Sequence, residues 1–188
     1  MKYPTNLIEV PAINTERLQL RKITIEDAEN IFEYASDPVV NTFMPWETHK
    51  SINDTYDFIK MSDELFITSD IIDWAIEYKE NKKMIGGISI RRWNDQNKCA
   101  DVGYVLSRRY WNKGIITEAL KSVIEFCFVQ LKLNRVEAHC DENNYASQKV
   151  MEKAGMIYEG TLREKVLIKD KFVNMRFYSI LKSEYKLG

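Results

Sequence analysis

Apolar residues change their spacing several times along the chain, and each change marks an element. Arg17 to Lys22 alternates, with Leu18 and Leu20 on one face, which is the period-two pattern of a half-buried strand. Thr24 then caps a helix through Tyr34 that turns Ala28, Ile31, Phe32 and Ala35 inward. Asp37-Pro38 ends it, because the residue before a proline disfavours the helical region. An irregular stretch runs through Pro45-Trp46, and Ser51 caps an amphipathic helix carrying Ile52, Tyr56, Ile59 and Phe66 inward. Alternation returns from Asp73 to Glu80, from Met84 to Trp93 and from Cys99 to Leu106, with turns at Asn81-Lys82-Lys83 and Asn94 to Lys98. This meander reads as antiparallel, and Gly86-Gly87 within it marks a bulge or a close approach of backbone.

The period then lengthens. Ile116, Leu120, Val123, Cys127 and Leu131 predict a helix from Ile115 to Leu131, followed by a strand from Arg135 to Cys140. Tyr145 to Lys153 reads as a helix ending at Gly155, and strands follow from Met156 to Leu162 and from Phe172 to Leu181. The order predicts a mixed α/β sheet with helices on its faces. The strands flanking the long helix become parallel neighbours joined by a right-handed crossover.

Composition narrows what such a sheet can do. With 188 residues and no linker or repeat, residues 1–188 read as one domain, and a 45% hydrophobic fraction is ample for a core. Lys+Arg 27 against Asp+Glu 28 leaves a net charge of -1, without the cationic excess that binding nucleic acid or an anionic membrane requires. Any anionic ligand must be held by a local site. Cys99, Cys127 and Cys140 form no C-x-x-C pair, and only His49 and His139 accompany them, so the expectations are a reducing compartment and no metal site. Met1 to Pro11 lacks the apolar core of a signal peptide and no apolar stretch is long enough to span a bilayer, so a cytoplasmic location is expected.

The chemistry concentrates in two loops. Arg108-Arg109-Tyr110-Trp111-Asn112-Lys113-Gly114 joins a strand to the long helix. There the first-turn amides lack intrahelical partners, the helix dipole adds about half a positive charge, and Gly114 admits close backbone approach. With Arg108, Arg109 and Lys113 nearby, a diphosphate would be stabilised. The bland alternative is a glycine turn with solvated cations. Neither a P-loop nor a dinucleotide-fold glycine pattern is present. Further on, Asn144-x-x-Ser147 either caps the next helix or offers an amide and a hydroxyl at the carboxyl end of the neighbouring strand, where ligands of open α/β sheets bind.

Together these segments resemble the coenzyme A motifs of the GNAT N-acetyltransferases, in particular the RimJ/RimL branch of ribosomal-protein N-terminal acetyltransferases. The resemblance spans most of the chain. It is carried by Thr15-Glu16-Arg17-Leu18-x-Leu20-Arg21, Asp101-Val102-Gly103-Tyr104-Val105-Leu106, Tyr110-Trp111-Asn112-Lys113-Gly114 with Thr117-Glu118-Ala119, Leu133-Asn134-Arg135-Val136, and Asn144-x-x-Ser147 with Lys153-Ala154-Gly155. It implies an acyl-CoA N-acyltransferase fold: a mostly antiparallel sheet, a splayed central parallel pair, and helices on both faces. It also implies acetyl-CoA as co-substrate. Pantetheine would lie beside Tyr104, Val105 and Leu106, and the pyrophosphate would sit on the amides of Lys113, Gly114, Ile115, Ile116 and Thr117 with Arg109 near. Asn144 would meet the pantetheine arm, and Ser147 would stand near the sulfur. Trp111 and Ile116 occupy the first and last positions of the family's usual R/Q-x-x-G-x-G/A loop, and Asn112 replaces the branch's usual glycine. Met151 stands where many members carry a tyrosine acid. A thioether cannot donate a proton, so Ser147 becomes the candidate for protonating the departing thiolate.

Direct attack by an amine needs orientation, a carbonyl donor such as backbone N–H around Tyr104-Val105, and a route for one proton. Glu164 and Asp101 are candidate bases; each has a bland reading as a solvated strand residue, and water passing the proton to a backbone carbonyl is an equal alternative. Trp46 and Glu47 fall where the family places its acceptor, with Trp46 able to stack on an ammonium group and Glu47 to attract it. Core packing for Trp46 and plain surface for Glu47 is as good a reading. The acceptor is expected to be a protein N-terminal α-amine, ribosomal or other. A small amine such as a polyamine or aminoglycoside, a catalytically silent CoA-binding module, and a domain that does not use the coenzyme stay open, as does a homodimer.

Overall fold

The computed structural model describes residues 9–69, 71–94 and 96–186; most of Met1 to Pro11, on which the expectation about a leader rests, lies outside the described residues. The alternating segments form the expected meander: β1 (Ile13–Asn14), β2 (Leu18–Lys22), β3 (Ile72–Tyr78), β4 (Lys83–Asn94) and β5 (Cys99–Leu106) run antiparallel in that order. Between β2 and β3 the chain forms α1 (Ala28–Ala35) and α2 (Ile52–Thr68). After β5 come α3 (Ile115–Val129), β6 (Arg135–Asp141), α4 (Tyr145–Lys153), β7 (Ile157–Ile168) and β8 (Lys171–Leu181). The described strands form one sheet of order β1-β2-β3-β4-β5-β6-β8-β7, in which β5 and β6 are the parallel pair.

Helices occupy both faces, each over its own core. α3 and α4 cover the face lined by Leu18, Trp74, Ile88, Val102, Val136 and Ala138, and they bring Leu120, Val123, Cys127 and Met151 against it. α1 and α2 cover the other face only over the first half of the sheet, burying Ile31, Tyr34, Ala35 and Ile59 on Ala75 and Met84. On that second face β6 therefore alternates, with Val136, Ala138 and Cys140 buried beneath α3 and α4, and Arg135, Glu137, His139 and Asp141 half-buried on the side the first two helices do not reach. Among the described residues that side of the sheet is left without a helix over it, and it carries these half-buried polar groups beside Met175, Phe177 and Ser179 of β8.

Several boundaries differ from the periodicity reading, each for a physical reason. α2 buries Thr55, Ile59 and Ser62 and leaves Tyr56 exposed, because Thr55 meets the His49 ring at 2.9 Å and Ser62 donates to the buried Asp73 carboxylate at 3.1 Å. Two polar pairings thus rotate the helix away from its apolar stripe. β7 continues past Leu162 to Ile168, since Lys169 and Asp170 both adopt positive φ and close a two-residue hairpin. The polar run Arg163 to Lys165 hides that strand from a period-two search, and register shifts interrupt the pairing there.

Gly86 is where the sheet tolerates no side chain. A Cβ there would lie 2.3 Å from the Val105 carbonyl oxygen and 3.0 Å from the Leu106 Cα, whereas at Gly87 the nearest atom is 3.5 Å away. The close approach holds the end of β5 against β4. Gly86→Ala is expected to destabilise the fold by about 1–3 kcal/mol, the usual cost of overpacking, and Gly87→Ala by clearly less; denaturant titration of the two variants measures the difference.

Candidate active site

The site is built on a parallel ladder that stops early. β5 and β6 pair only at Cys99 with Arg135, Ala100 with Val136 and Asp101 with Glu137. Beyond Asp101 the strands diverge while β5 stays paired to β4 as far as Leu106. Ser107 N–H donates to the Ile85 carbonyl at 2.8 Å, and the alternation of an antiparallel ladder then turns the backbone groups of Val105 toward β4 and those of Tyr104 and Leu106 toward the gap. The Leu106 carbonyl is taken by the Trp111 indole N–H at 2.8 Å. This leaves the main chain of Tyr104 as the part of the expected Tyr104-Val105 donor pair that faces the opening.

Two hydroxyls meet across that opening. The Tyr104 side chain crosses from β5 to α4, where its hydroxyl lies 2.8 Å from Ser147 Oγ. Burial pushes the Tyr104 phenol well above its ordinary range, so it stays protonated. Asn144 is the N-cap of α4, its Oδ1 accepting from Ser147 N–H at 3.1 Å, which leaves the amide nitrogen of its side chain to serve another partner. Cys140, on the buried side of β6, lies 3.9 Å from the Asn144 carbonyl, and burial pushes its thiol up to about 11. Met151, at the position where the resemblance implies a tyrosine acid in many members, is fully buried and belongs to the core here.

The loop ahead of α3 forms the second part. Asn112 has φ 60 and Gly114, the N-cap, has φ 73; asparagine is one of the few side chains that tolerate that region, which accounts for its presence at a glycine position. The first intrahelical bond runs from Glu118 N–H to the Gly114 carbonyl at 3.1 Å, so the amides of Ile115, Ile116 and Thr117 precede any helical acceptor. The side chains of Ile115 and Ile116 are buried, which directs the bulk of Ile116 into the core and away from those amides. Lys113 Nζ sits 5.2 Å above the Tyr110 ring. Arg108 and Arg109 point toward α1, pairing with Asp37 at 3.1 Å and Glu33 at 3.2 Å. Such exposed pairs are worth little, so either arginine can exchange its partner for a phosphate at small cost.

Arg17 and Glu118 brace this loop from below, an arrangement visible in the sequence only as part of a motif. Arg17 Nε donates to Glu118 Oε2 at 2.7 Å and its Nη1 to the Lys113 carbonyl at 2.9 Å, while Thr15 Oγ1 donates to Glu118 Oε1 at 2.6 Å. Burial alone would raise the Glu118 carboxyl, but hydrogen bonds from Thr15 and Arg17 outweigh it and hold the group below its ordinary range.

The remaining sequence candidates lie around the accessible face. Trp46 packs beside α1 and α2, its carbonyl accepting from Asn41 Nδ2 at 2.7 Å, and its ring lies 5.6 Å from that of His49; Glu47 next to it is exposed. Lys169, at the tip of the β7–β8 hairpin, donates to the Asn41 carbonyl at 2.8 Å and also contacts the Asn41 side chain. Glu164 is exposed on the irregular part of β7, with φ 48 and its N–H donated to Asn174 Oδ1 at 2.8 Å. Asp101 lies at the apex of the gap with its side chain 12% exposed, close to His139. The structure thus brings Tyr104, Asn144 and Ser147 together and sets Glu164 two strands away from the gap.

Comparison with known proteins accords with this geometry. Residues 17–157 match the sequence profile of the acetyltransferase (GNAT) domain. The chain belongs to the GNAT acetyltransferase family. An uncharacterized N-acetyltransferase of Bacillus licheniformis, p20, is 33% identical over 171 residues, covering 91% of this chain and 96% of its own length. The ribosomal-protein-serine acetyltransferase of Escherichia coli (strain K12) is 31% identical over 102 residues, 54% of this chain and 56% of that one. Among solved structures, an acetyltransferase (GNAT family) from Bacillus anthracis superposes with a TM-score of 0.82 at 26% identity, covering 92% of this chain and 99% of that chain. The chain is an acetyl-CoA-dependent N-acetyltransferase. Among the described residues, no helix is long and apolar enough to cross a membrane and no cluster of three metal-binding side chains occurs.

The residues present fit that co-substrate: free amides at a helix N-terminus suit a pyrophosphate, and an unpaired strand edge suits an amide-bearing arm. Because Glu118 is held below its unfolded value, its contribution to folding is complete above that value and fades as pH falls through the folded one. Glu118→Gln is expected to lower the melting temperature of the acetyltransferase at neutral pH, with the gap from wild type closing as pH falls through and below the ordinary carboxylate range. Thermal melts across that range check the sign.

Proposed function

We propose that the acetyltransferase moves the acetyl group of acetyl-CoA to a primary amine at a protein N-terminus, by direct attack with both substrates bound. The observation that carries the transfer step is the Tyr104–Ser147 hydroxyl pair at the edge of the gap between β5 and β6. In this reading the amides of Lys113, Gly114, Ile115, Ile116 and Thr117 hold the pyrophosphate, assisted by Lys113 and Arg109, and Asn144 engages the pantetheine arm. Acetyl-CoA supplies the activated thioester. Ser147 gives its proton to the departing sulfur and is resupplied through the Tyr104 hydroxyl, which takes a proton from solvent in turn because desolvation disfavours its phenolate. The backbone N–H of Tyr104, turned to the gap, donates to the thioester carbonyl.

Two observations support a polypeptide acceptor. The part of the sheet that α1 and α2 leave uncovered carries the half-buried Arg135, Glu137, His139 and Asp141 along β6, and the Escherichia coli relative is by its name a ribosomal-protein acetyltransferase. One observation favours a compact amine instead: the Lys169–Asn41 contact bridges the hairpin tip to the segment before Trp46 and narrows the approach.

Thiol release from acetyl-CoA, measured against N-terminal peptides, polyamines and aminoglycosides, decides between them. The expected result is turnover with peptides; turnover confined to polyamines or aminoglycosides moves the assignment to the compact amine. Ser147→Ala is expected to slow turnover by about 100-fold or more while acetyl-CoA still raises the melting temperature as in wild type. Normal turnover in that variant removes Ser147 from the leaving-group role.

A further inference from the structure

One buried carboxylate has no explanation in the fold. Asp101 is 9% exposed, and among the described residues its Oδ1 has no hydrogen-bond partner. A desolvated anion left so is costly unless a donor is within reach. The group poised to supply it is His139, whose Nδ1 lies 3.4 Å from that oxygen. The two stand on neighbouring strands at the point where the ladder ends, Asp101 in the last paired position and His139 two residues beyond its partner Glu137.

His139 also faces the correct way. Cys140, the next residue on β6, points to the α4 side and approaches Asn144, so His139 points to the opposite, accessible face at the same depth of the gap. Its ring lies on that of Phe177 of β8, with centroids 5.3 Å apart and planes inclined by 23°, which fixes its plane and leaves one edge open, the side chain being 30% exposed. Arg92 of β4 stands opposite Asp101 in the ladder, and the remaining charged groups on this face have partners of their own. Arg91 of β4 pairs with Asp73 of β3, and Arg135 of β6 bonds both Glu137 and Glu159 of β7. Asp141 accepts from Asn143 at the far end of β6; β8 adds only Met175, Phe177 and Ser179 here.

We propose that His139 is the general base of the acetyltransferase and that Asp101 is its positioning residue, an assignment that rests on the amine-transfer reading above. Asp101 accepts the Nδ1 proton, which leaves Nε2 as the acceptor directed at the accessible face. As the new C–N bond forms and the C–S bond breaks, the nitrogen's surplus proton passes to Nε2. The sulfur takes its proton from the Ser147–Tyr104 pair, the imidazolium releases its own to solvent through the open edge, and the hydroxyl pair recovers one from solvent as the free thiol leaves. Asp101, which the sequence offered as a direct base, acts through the ring.

Imidazole nitrogen spectra of the acetyltransferase with and without coenzyme A, together with turnover of His139→Gln, His139→Phe and Asp101→Asn on whichever primary amine is acetylated, test this. The expected spectrum shows neutral His139 carrying its proton on Nδ1, with Asp101→Asn shifting it toward the Nε2–H form. The expected kinetics are a kcat lowered by about 100-fold or more in both His139 variants, a smaller loss and a displaced pH limb in Asp101→Asn, and acetyl-CoA affinity within about twofold of wild type. A proton on Nε2 in wild type, or a His139 variant with wild-type kcat and pH profile, overturns the assignment. The spectrum needs no acceptor and the kinetics accept any primary amine, so failure of the polypeptide-acceptor reading, or of Ser147 as proton donor, is seen separately.

Discussion

Everything distinctive in this molecule depends on a parallel ladder three residue pairs long. Strands that pair fully leave no backbone for a ligand; strands that do not pair at all leave no defined gap. Here Cys99, Ala100 and Asp101 anchor β5 to β6, and the divergence that follows exposes the strand edge from Val102 to Leu106. The unpaired edge persists because each strand is satisfied on its other side. β5 is held to β4 by the tight Gly86 contact, and β6 is held to β8 along its whole length from Arg135 to Asp141. The α3 crossover that makes the pair parallel also delivers its own N-terminus to the mouth of the gap, so one topological choice supplies both the slot and the anion site.

That economy reconciles a nearly neutral chain with a polyanionic co-substrate. A net charge of -1 gives no long-range attraction, and the arginines of the α3 loop are engaged with Glu33 and Asp37. In the proposed reading the attraction is local, carried by amides that the helix leaves without partners, by Lys113, and by Arg109 once it exchanges Glu33 for phosphate. Glu118 sits in the first turn of α3, close to where a phosphate would lie, and its charge is absorbed by Arg17 and Thr15 on the far side. The brace turns a potential repulsion into a support for the loop.

How much of this was written in the sequence follows from the range of each interaction. β5 and α4 have the boundaries their local patterns predict, and the loops at Gly114 and Asn144 stand where their turn chemistry puts them, because each signal is confined to a few neighbouring residues. The second half of β7 carries no period-two signal because it is polar and irregular, and only pairing with β8 makes it a strand. α2 leaves Tyr56 outside although helical periodicity predicts it inward, since Thr55 and Ser62 are buried for partners, His49 and Asp73, that periodicity cannot anticipate. The site divides the same way. Asn144 and Ser147 were legible as a motif, whereas the Tyr104 hydroxyl reaches Ser147 from 43 residues away, and Arg17 meets Glu118 from 101 away.

His139 shows why such contacts escape a reading along the chain. As an isolated histidine in a strand of alternating burial it carries no chemical signal, and Asp101 alone reads equally as a direct base or as a solvated strand residue. Their significance arises from three things that only the folded sheet supplies. The ladder ends between them, α1 and α2 stop short of this half of the face, and Phe177 fixes the ring plane. Remove any one and the pair becomes ordinary: a continued ladder would fill the gap, a third helix would cover the imidazole, and a free ring would have no preferred edge. The constraint that creates the binding slot is thus the same one that gives a commonplace aspartate and histidine a side open to the incoming amine.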